Sequence, residues 1–344
     1  MLLSIIVPVY NMAAGGKLNF CMDSLVAQTL PGESYEIIAV DDASTDNSLD
    51  ILRDYEERYG ELVRVIHYDT NRRQGGAKNE GLKAASGKWI GFIDSDDWVT
   101  PDYYEKLIRR ADETGADMVG CDYSLVNEHT YTVGRVVSNN SLSQTGLLDE
   151  EKHGGLLMRP GSMVIKIYRH SVIKENRLSF PENIFYEDNC AGSVWSLYFK
   201  HFEKVEEPMY FYYQHEVSTV HGISEEKCRD RLRAAELMYS ECRDRGFLEK
   251  YRAEIEYRFA ELYYVNTLFS YMSALSVAEG GISHLKFIKE LRQGIDRYFP
   301  DFEKNKYYIS NTADTEKRFI SLHGRSNSAF YVYYRLKQFI WSHR

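Results

Sequence analysis

Five short apolar runs, at residues 3–9, 35–40, 63–68, 89–93 and 117–123, alternate with stretches whose apolar residues recur at helical spacing. Those stretches lie at 18–29, 47–59, 74–85 and 102–114; in the first, Leu18, Cys21, Met22, Leu25 and Val26 share one face. This alternation specifies a mostly parallel sheet covered by helices. In such sheets ligands bind beyond the carboxyl ends of the strands. Polar groups collect there: Pro8-Val9-Tyr10-Asn11 after the first strand, Asp41-Asp42-Ala43-Ser44 after the second, and Asp94-Ser95-Asp96-Asp97-Trp98 after the fourth. The fold class by itself brings these segments to one edge.

Three carboxylates within four residues repel one another, so Asp94, Asp96 and Asp97 need solvent, hydrogen bonds or a cation. An Asp-x-Asp at a strand end can hold a hard divalent ion and leave positions open for phosphate oxygens. An acidic turn ahead of a helix starting at Thr100-Pro101 accounts for the same residues. Gly75-Gly76-Ala77-Lys78 opens a helix, where backbone N–H groups favour an anion and Lys78 adds a mobile charge. Glycine pairs also occur in ordinary turns. Tyr10 can lay its ring against a nucleobase or be a turn residue, and Asp42 can simply cap the next helix.

Beyond residue 126 the rhythm changes. A short hairpin is expected at 129–138 around Gly134, a helix at 150–158 and a strand at 162–168. Tyr186-Glu187-Asp188 opens a helix to about 199, and an aromatic strand at 209–213 precedes Gln214-His215-Glu216-Val217-Ser218. Helical patterns fill 229–245, 248–273 and 282–298. Three units follow: 1–125, 126–224 and 225–344.

With 344 residues, 44% of them hydrophobic, the chain can bury a sizeable core. A net charge of −9 argues against nucleic acid as a partner. Five scattered cysteines without metal-type or framework spacing read as reduced thiols. No apolar run approaches the ~18 residues of a membrane span, and residues 2–9 lack a basic leader and a cleavage site. A cytoplasmic location is expected, with the inner face of the membrane left open.

The order of motifs (Pro-Val-Tyr-Asn, Asp-Asp-Ala-Ser-Thr-Asp, Gly-Gly-Ala-Lys-Asn-Glu-Gly-Leu, Asp-Ser-Asp-Asp-Trp, Tyr-Glu-Asp) resembles the family 2 glycosyltransferases. The resemblance is specific to about residue 125 and looser to about 220. It implies the GT-A fold, a Rossmann-like α/β sheet here followed by a helical C-terminal extension. It also implies a UDP-sugar donor, a glycan or lipid-linked acceptor, and Mg2+ or Mn2+.

Residue by residue, Pro8 and Tyr10 fall to the nucleotide and Asp42 to the uracil N–H. Lys78 falls to the diphosphate, although most of the family has Arg there. Asp96 is the metal ligand, with Asp94 on the ribose, the sugar or the metal. Asp188 is the base of an inverting transfer, with Glu187 as the alternative. His215, Ser218 and His221 match a loop that folds over the diphosphate, where a histidine can complete the metal's ligands. Lys166 and Arg169 face donor or acceptor, or form a strand's polar face.

Two other readings remain at this stage. A sugar-nucleotide nucleotidyltransferase needs a Gly-rich basic loop after the first strand, and Gly15-Gly16-Lys17 there lacks the expected arginine. A non-catalytic sugar-binding or scaffold module has no need of intact Asp94, Asp96 and Asp188. The C-terminal segment adds a separate expectation. After Glu316 come six basic residues (Lys317, Arg318, Arg325, Arg335, Lys337, Arg344) and no acid; subtracting these six charges from −9 leaves −15 on the rest. Its aromatic residues, Tyr331, Tyr334 and Trp341 among them, make no clean helical face with Leu336 and Gln338. Packing on the protein, on a homodimer partner or on a membrane through 317–344 all fit this pattern.

Overall fold

In the computed structural model, residues 1–214, 223–275 and 282–342 are described, without the side chains of 282, 283, 341 and 342. The chain divides into two compact units, Met1–Ser218 and Thr219–Arg344.

The first unit is an α/β sheet of the GT-A type. Along the chain it runs β1 (Leu3–Val9), α1 (Lys17–Val26), β2 (Tyr35–Asp42), α2 (Ser48–Tyr59), β3 (Val63–Tyr68), α3 (Arg73–Ala84), β4 (Trp89–Phe92), β5 (Trp98–Val99), α4 (Tyr103–Thr114), β6 (Met118–Val126), β7 (Arg135–Val137), β8 (Gly146–Leu147), α5 (Glu150–Met158), β9 (Lys166–Arg169), α6 (His170–Glu175), α7 (Glu187–Trp195) and β10 (His201–Tyr213). The strand order is β3-β2-β1-β4-β9-β6-β10-β5, with β7 on β6 and β8 on β10. Strands β3, β2, β1 and β4 are parallel, as are β6 and β10.

Every residue of β1 is buried, as a central strand covered on both faces requires. Pro8 is tolerated there because β4 pairs only as far as Ile6, so the missing N–H falls beyond that ladder. Phe92, Tyr168, Phe180 and Trp195 form one buried cluster of edge-to-face and tilted rings. Full burial of one such ring is worth roughly 1.5–3 kcal/mol.

Four local expectations need correction. The segment 162–168 becomes only the short β9, inserted antiparallel between β4 and β6. The hairpin around Gly134 does not form; β7 instead pairs with β6, Tyr123 opposite Val137. A Cβ on Gly134 would meet the Leu125 carbonyl oxygen at 2.2 Å, so glycine is needed for that approach. The aromatic strand starts at His201, not 209, and bulges around Pro208. After the acidic turn comes β5, which pairs with β10 before α4 begins at Tyr103.

The second unit is helical: α8 (Glu225–Asp244), α9 (Arg252–Phe259), α10 (Thr267–Ala274), α11 (Ile282–Tyr298), α12 (Lys306–Asn311), α13 (Asp314–Arg325) and α14 (Asn327–Ser342). A π-helical stretch at Ala260–Asn266 interrupts the expected continuous helix over 248–273. All five cysteines are buried, and no disulfide joins them. Among the described residues, no helix is long and apolar enough to cross a membrane.

Candidate active site

Strand ends β1 and β2 carry two loops laced together by side chains. Asn11 and Ala43 both take positive φ, and Ser44 Oγ accepts from the Asn11 N–H at 3.0 Å. Ser48 Oγ accepts from Met12 N–H and Asp46 from Ala13 N–H. Tyr10 stands on this rim with 45% of its surface exposed. Asp41 turns inward onto His67 Nδ1, 2.8 Å away. Asp42 accepts from the Arg72 N–H at 2.8 Å. Burial, and secondarily the Asp41 charge, raise the Asp42 pKa against the pull of the Arg72 and Arg73 amides.

The acidic turn is divided by direction. Asp97 points inward, accepting from Tyr210 Oη at 2.6 Å and from the Tyr213 N–H at 2.8 Å, which ties the turn to β10. Burial and the charges of Asp96 and Asp94 push its carboxyl up. Asp94 and Asp96 are half-buried. Burial, with Asp96, Glu187 and Asp188, drives Asp94 up to about 7 against the opposing charge of Lys78. Its Oδ1 is buried without a hydrogen-bond partner.

Helix α3 places Lys78 at the centre of this cluster. Its ammonium is buried and meets Glu187 Oε1 at 2.8 Å, the two side chains being 2% and 6% exposed. Burial works against the charge, but Glu187, Asp94 and Asp188 outweigh it and hold the lysine pKa above its ordinary value. The ammonium therefore lies on Glu187, a partner that reasoning from the motif did not name. Gly75 and Gly76 serve packing: a Cβ on Gly75 would lie 1.9 Å from the Pro181 carbonyl oxygen. Asn79 staples the same contact, donating to the Phe180 carbonyl and accepting from the Phe180 N–H. The approach of α3 to 180–187 thus brings Lys78 to the start of α7.

Glu187 and Asp188 are adjacent on α7, yet Glu187 is buried and Asp188 is exposed. Tyr186, at φ 63°, makes the turn that starts the helix. His215, Ser218 and His221 lie outside the described residues. Lys166 is buried and donates to the Pro160 and Ser162 carbonyls, while Arg169 covers the Trp89 ring.

Two arginines missed from the sequence stand at the head of α3. Arg72 pairs with Glu182 at 2.9 Å, and Arg73, at φ 63°, stacks on Phe185 at 4.0 Å. The Asn-Arg-Arg ahead of the glycines was the available signal.

Among the described residues no group of three His, Cys, Asp or Glu side chains is gathered as a metal site. The residues nevertheless fit a hard divalent cation. Asp94 and Asp96 offer carboxylate oxygens, one of them buried and without a partner. A cation bound by only one or two carboxylates completes its shell with phosphate oxygens and water.

A profile of glycosyl transferase family 2 matches residues 4–176. The chain belongs to this family. The match takes in the strand-end loops, Lys78 and the acidic turn, and stops short of α7. This family 2 glycosyltransferase is 33% identical over 261 residues to the putative glycosyltransferase EpsH of Bacillus subtilis, covering 74% of this chain and 72% of EpsH. It is 33% identical over 189 residues to a poly(ribitol-phosphate) beta-glucosyltransferase of Bacillus spizizenii, covering 54% of this chain but only 27% of that protein. Among solved structures, Staphylococcus aureus TarS 1–349 superposes with a TM-score of 0.65 at 21% identity, covering 100% of this chain and 92% of that one. TarS 1–349 in complex with UDP-GlcNAc gives 0.64, likewise at 21% identity and over 100% and 92% of the two chains.

Proposed function

We propose that this glycosyltransferase moves a hexosyl or N-acetylhexosaminyl group from a UDP-sugar to a hydroxyl of a glycan or lipid-linked saccharide, with inversion. The observation that carries the reading is the convergence on one buried ammonium. Lys78 feels Glu187, Asp94 and Asp188 together, so the acidic turn and the start of α7 face one site. The TarS relative's complex with UDP-GlcNAc supports a UDP-sugar as donor.

The roles follow from position at the strand ends and, for Tyr10 and Asp188, from exposure. Tyr10 offers its ring to the uracil, Asp42 its carboxylate to the uracil N–H, and Pro8 the backbone beneath them. Asp188 is the base because it is exposed at the first turn of α7, where the helix dipole favours its ionised form. It takes the acceptor hydroxyl's proton as that oxygen attacks the anomeric carbon. The bond from that carbon to the UDP oxygen breaks, and UDP leaves with the electron pair. Glu187, held by Lys78, orients Asp188 rather than acting as the base itself. Mg2+ or Mn2+ would be held by Asp96 and Asp94, with His215 or His221 as further candidates, and would neutralise the leaving diphosphate.

The test is a panel of UDP-sugars with Mn2+ or Mg2+, scored by released UDP, with Asp96→Ala as the blank. Release of UDP by the wild type alone supports the reading. Formation of UTP and a sugar 1-phosphate from the UDP-sugar once pyrophosphate is added instead indicates nucleotidyl transfer, and no turnover of any donor indicates a binding module.

A further inference from the structure

The acidic turn follows β4, and the sheet extends from β4 in two directions. On one side lie β1 and β2, whose ends carry Tyr10 and Asp42. On the other lie β6, β10 and β5. β9 is antiparallel to both β4 and β6, so β6 and its parallel neighbour β10 run with β4 and end at the same edge. An aromatic cluster occupies that end. Trp98 stacks on Phe211 at 5.7 Å and stands edge-on to Phe20 and His129. Its Nε1 donates to the Thr130 carbonyl at 3.0 Å, which fixes the segment after β6. Tyr131 closes the cluster, its ring centroid 5.7 Å from those of Phe20 and Phe211, yet 46% of it is exposed. Two links join the cluster to the acidic turn. Cys21, next to Phe20 in α1, donates its thiol to the Asp94 carbonyl at 3.7 Å. Tyr213, against His129, donates its N–H to Asp97.

We propose that Tyr131, backed by Phe20 and Phe211, is a stacking platform for a neutral pyranose ring of the acceptor saccharide. A pyranose carries C–H groups on its faces, and these lie favourably against the negative face of an aromatic ring. A tyrosine already held by its neighbours loses little freedom when a sugar settles on it. Position selects acceptor over donor. The nucleotide falls to the β1 and β2 side, and the platform lies across the acidic turn from it. An inverting attack reaches the anomeric carbon from the side opposite the departing diphosphate, which is the side the platform borders. Charge selects a neutral ring. Partial burial and the charge of Asp23 raise the Tyr131 pKa, and the same carboxylate repels an anionic polyol chain. That the ring is an acceptor rests on the proposed transfer; that it binds here does not.

The test is saturation-transfer difference NMR of the full chain with UDP present, titrated with cellotetraose, chitotetraose or ribitol 5-phosphate. The first two are neutral chains of pyranose rings with equatorial substituents, and the third is an open-chain anion. The wild type is expected to saturate ring C–H protons of at least one oligosaccharide and to bind ribitol 5-phosphate more weakly. Tyr131→Ala should weaken oligosaccharide binding roughly two- to tenfold, the worth of one aromatic contact, and Tyr131→Trp should retain it. UDP affinity should stay that of the wild type in both. If Tyr131→Ala melts lower, Tyr131→Leu carries the comparison, since it keeps an apolar contact with Phe20 without a π face. No oligosaccharide binding by the wild type, equal binding by the variants with and without a ring, or tighter binding of ribitol 5-phosphate overturns the proposal. Where transfer is observed, KM for the acceptor should rise in Tyr131→Ala with KM for the UDP-sugar unchanged. Oligosaccharide binding that depends on Tyr131, in a chain that releases UDP from no donor, would sink the transfer reading and leave the platform standing.

Discussion

Replacing Lys78 by Met removes the ammonium and keeps most of the side chain's volume. Glu187 is then left buried near Asp94 and Asp188, with the cation it pairs with gone. Breaking a buried pair by deleting one partner costs about 3–5 kcal/mol, because the remaining charge is neither solvated nor matched. The first unit spans Met1–Ser218, a size for which each kcal/mol moves Tm by roughly 2–4 °C. The expected drop is therefore roughly 6–20 °C. Tryptophan fluorescence is the appropriate assay, since Trp89, Trp98 and Trp195 lie in this unit and only Trp341 in the other. The second arm is Lys78→Met with Glu187→Leu, which replaces both charges by apolar groups. Such a swap is often neutral or stabilising, so the double variant should regain most of the lost Tm. Under the proposed mechanism transfer should stay impaired in it, because Glu187 no longer stands beside Asp188. A Lys78→Met protein melting within about 1 °C of wild type would show that the pair contributes nothing to the fold. Failure of the double variant to recover would assign the loss to packing rather than to stranded charge.

Three further outcomes are expected. Asp96→Ala should abolish transfer without lowering Tm, since it relieves like-charge repulsion; turnover that survives both this change and EDTA removes the metal role. Asp188→Asn should keep donor binding and lose ~10²–10⁴ in kcat, and near-normal kcat would move the base elsewhere. His323 is buried on Tyr264, and burial together with Arg292 lowers its pKa from 6.5 to about 4. The unfolded chain therefore binds the extra proton first, so this contribution is complete above pH 6.5 and falls away as the pH drops toward 4. At most ~3 kcal/mol is involved. Urea unfolding of the full chain from pH 7.5 to 5 should show this loss for wild type and a smaller one for His323→Gln. Equal slopes would refute it.

By itself the sequence determined what local pattern can encode. The parallel strands and their covering helices were legible because apolar periodicity is a property of each segment alone. The strand-end positions of Tyr10, Asp42 and Asp94 followed with them. Only the tertiary structure decided pairing and direction. β9 inserts antiparallel between β4 and β6 because a strand's neighbours are chosen by the whole sheet, not by its own residues. Glu187 and Asp188 are equivalent acids in sequence, but one step along a helix is a rotation of about 100°. That rotation sends Glu187 in to Lys78 and Asp188 out to the surface. The same geometry separates Tyr334, packed inward, from Leu336, exposed on α14. Composition is shared by both faces of a helix, and only the neighbour it packs against decides which one is covered.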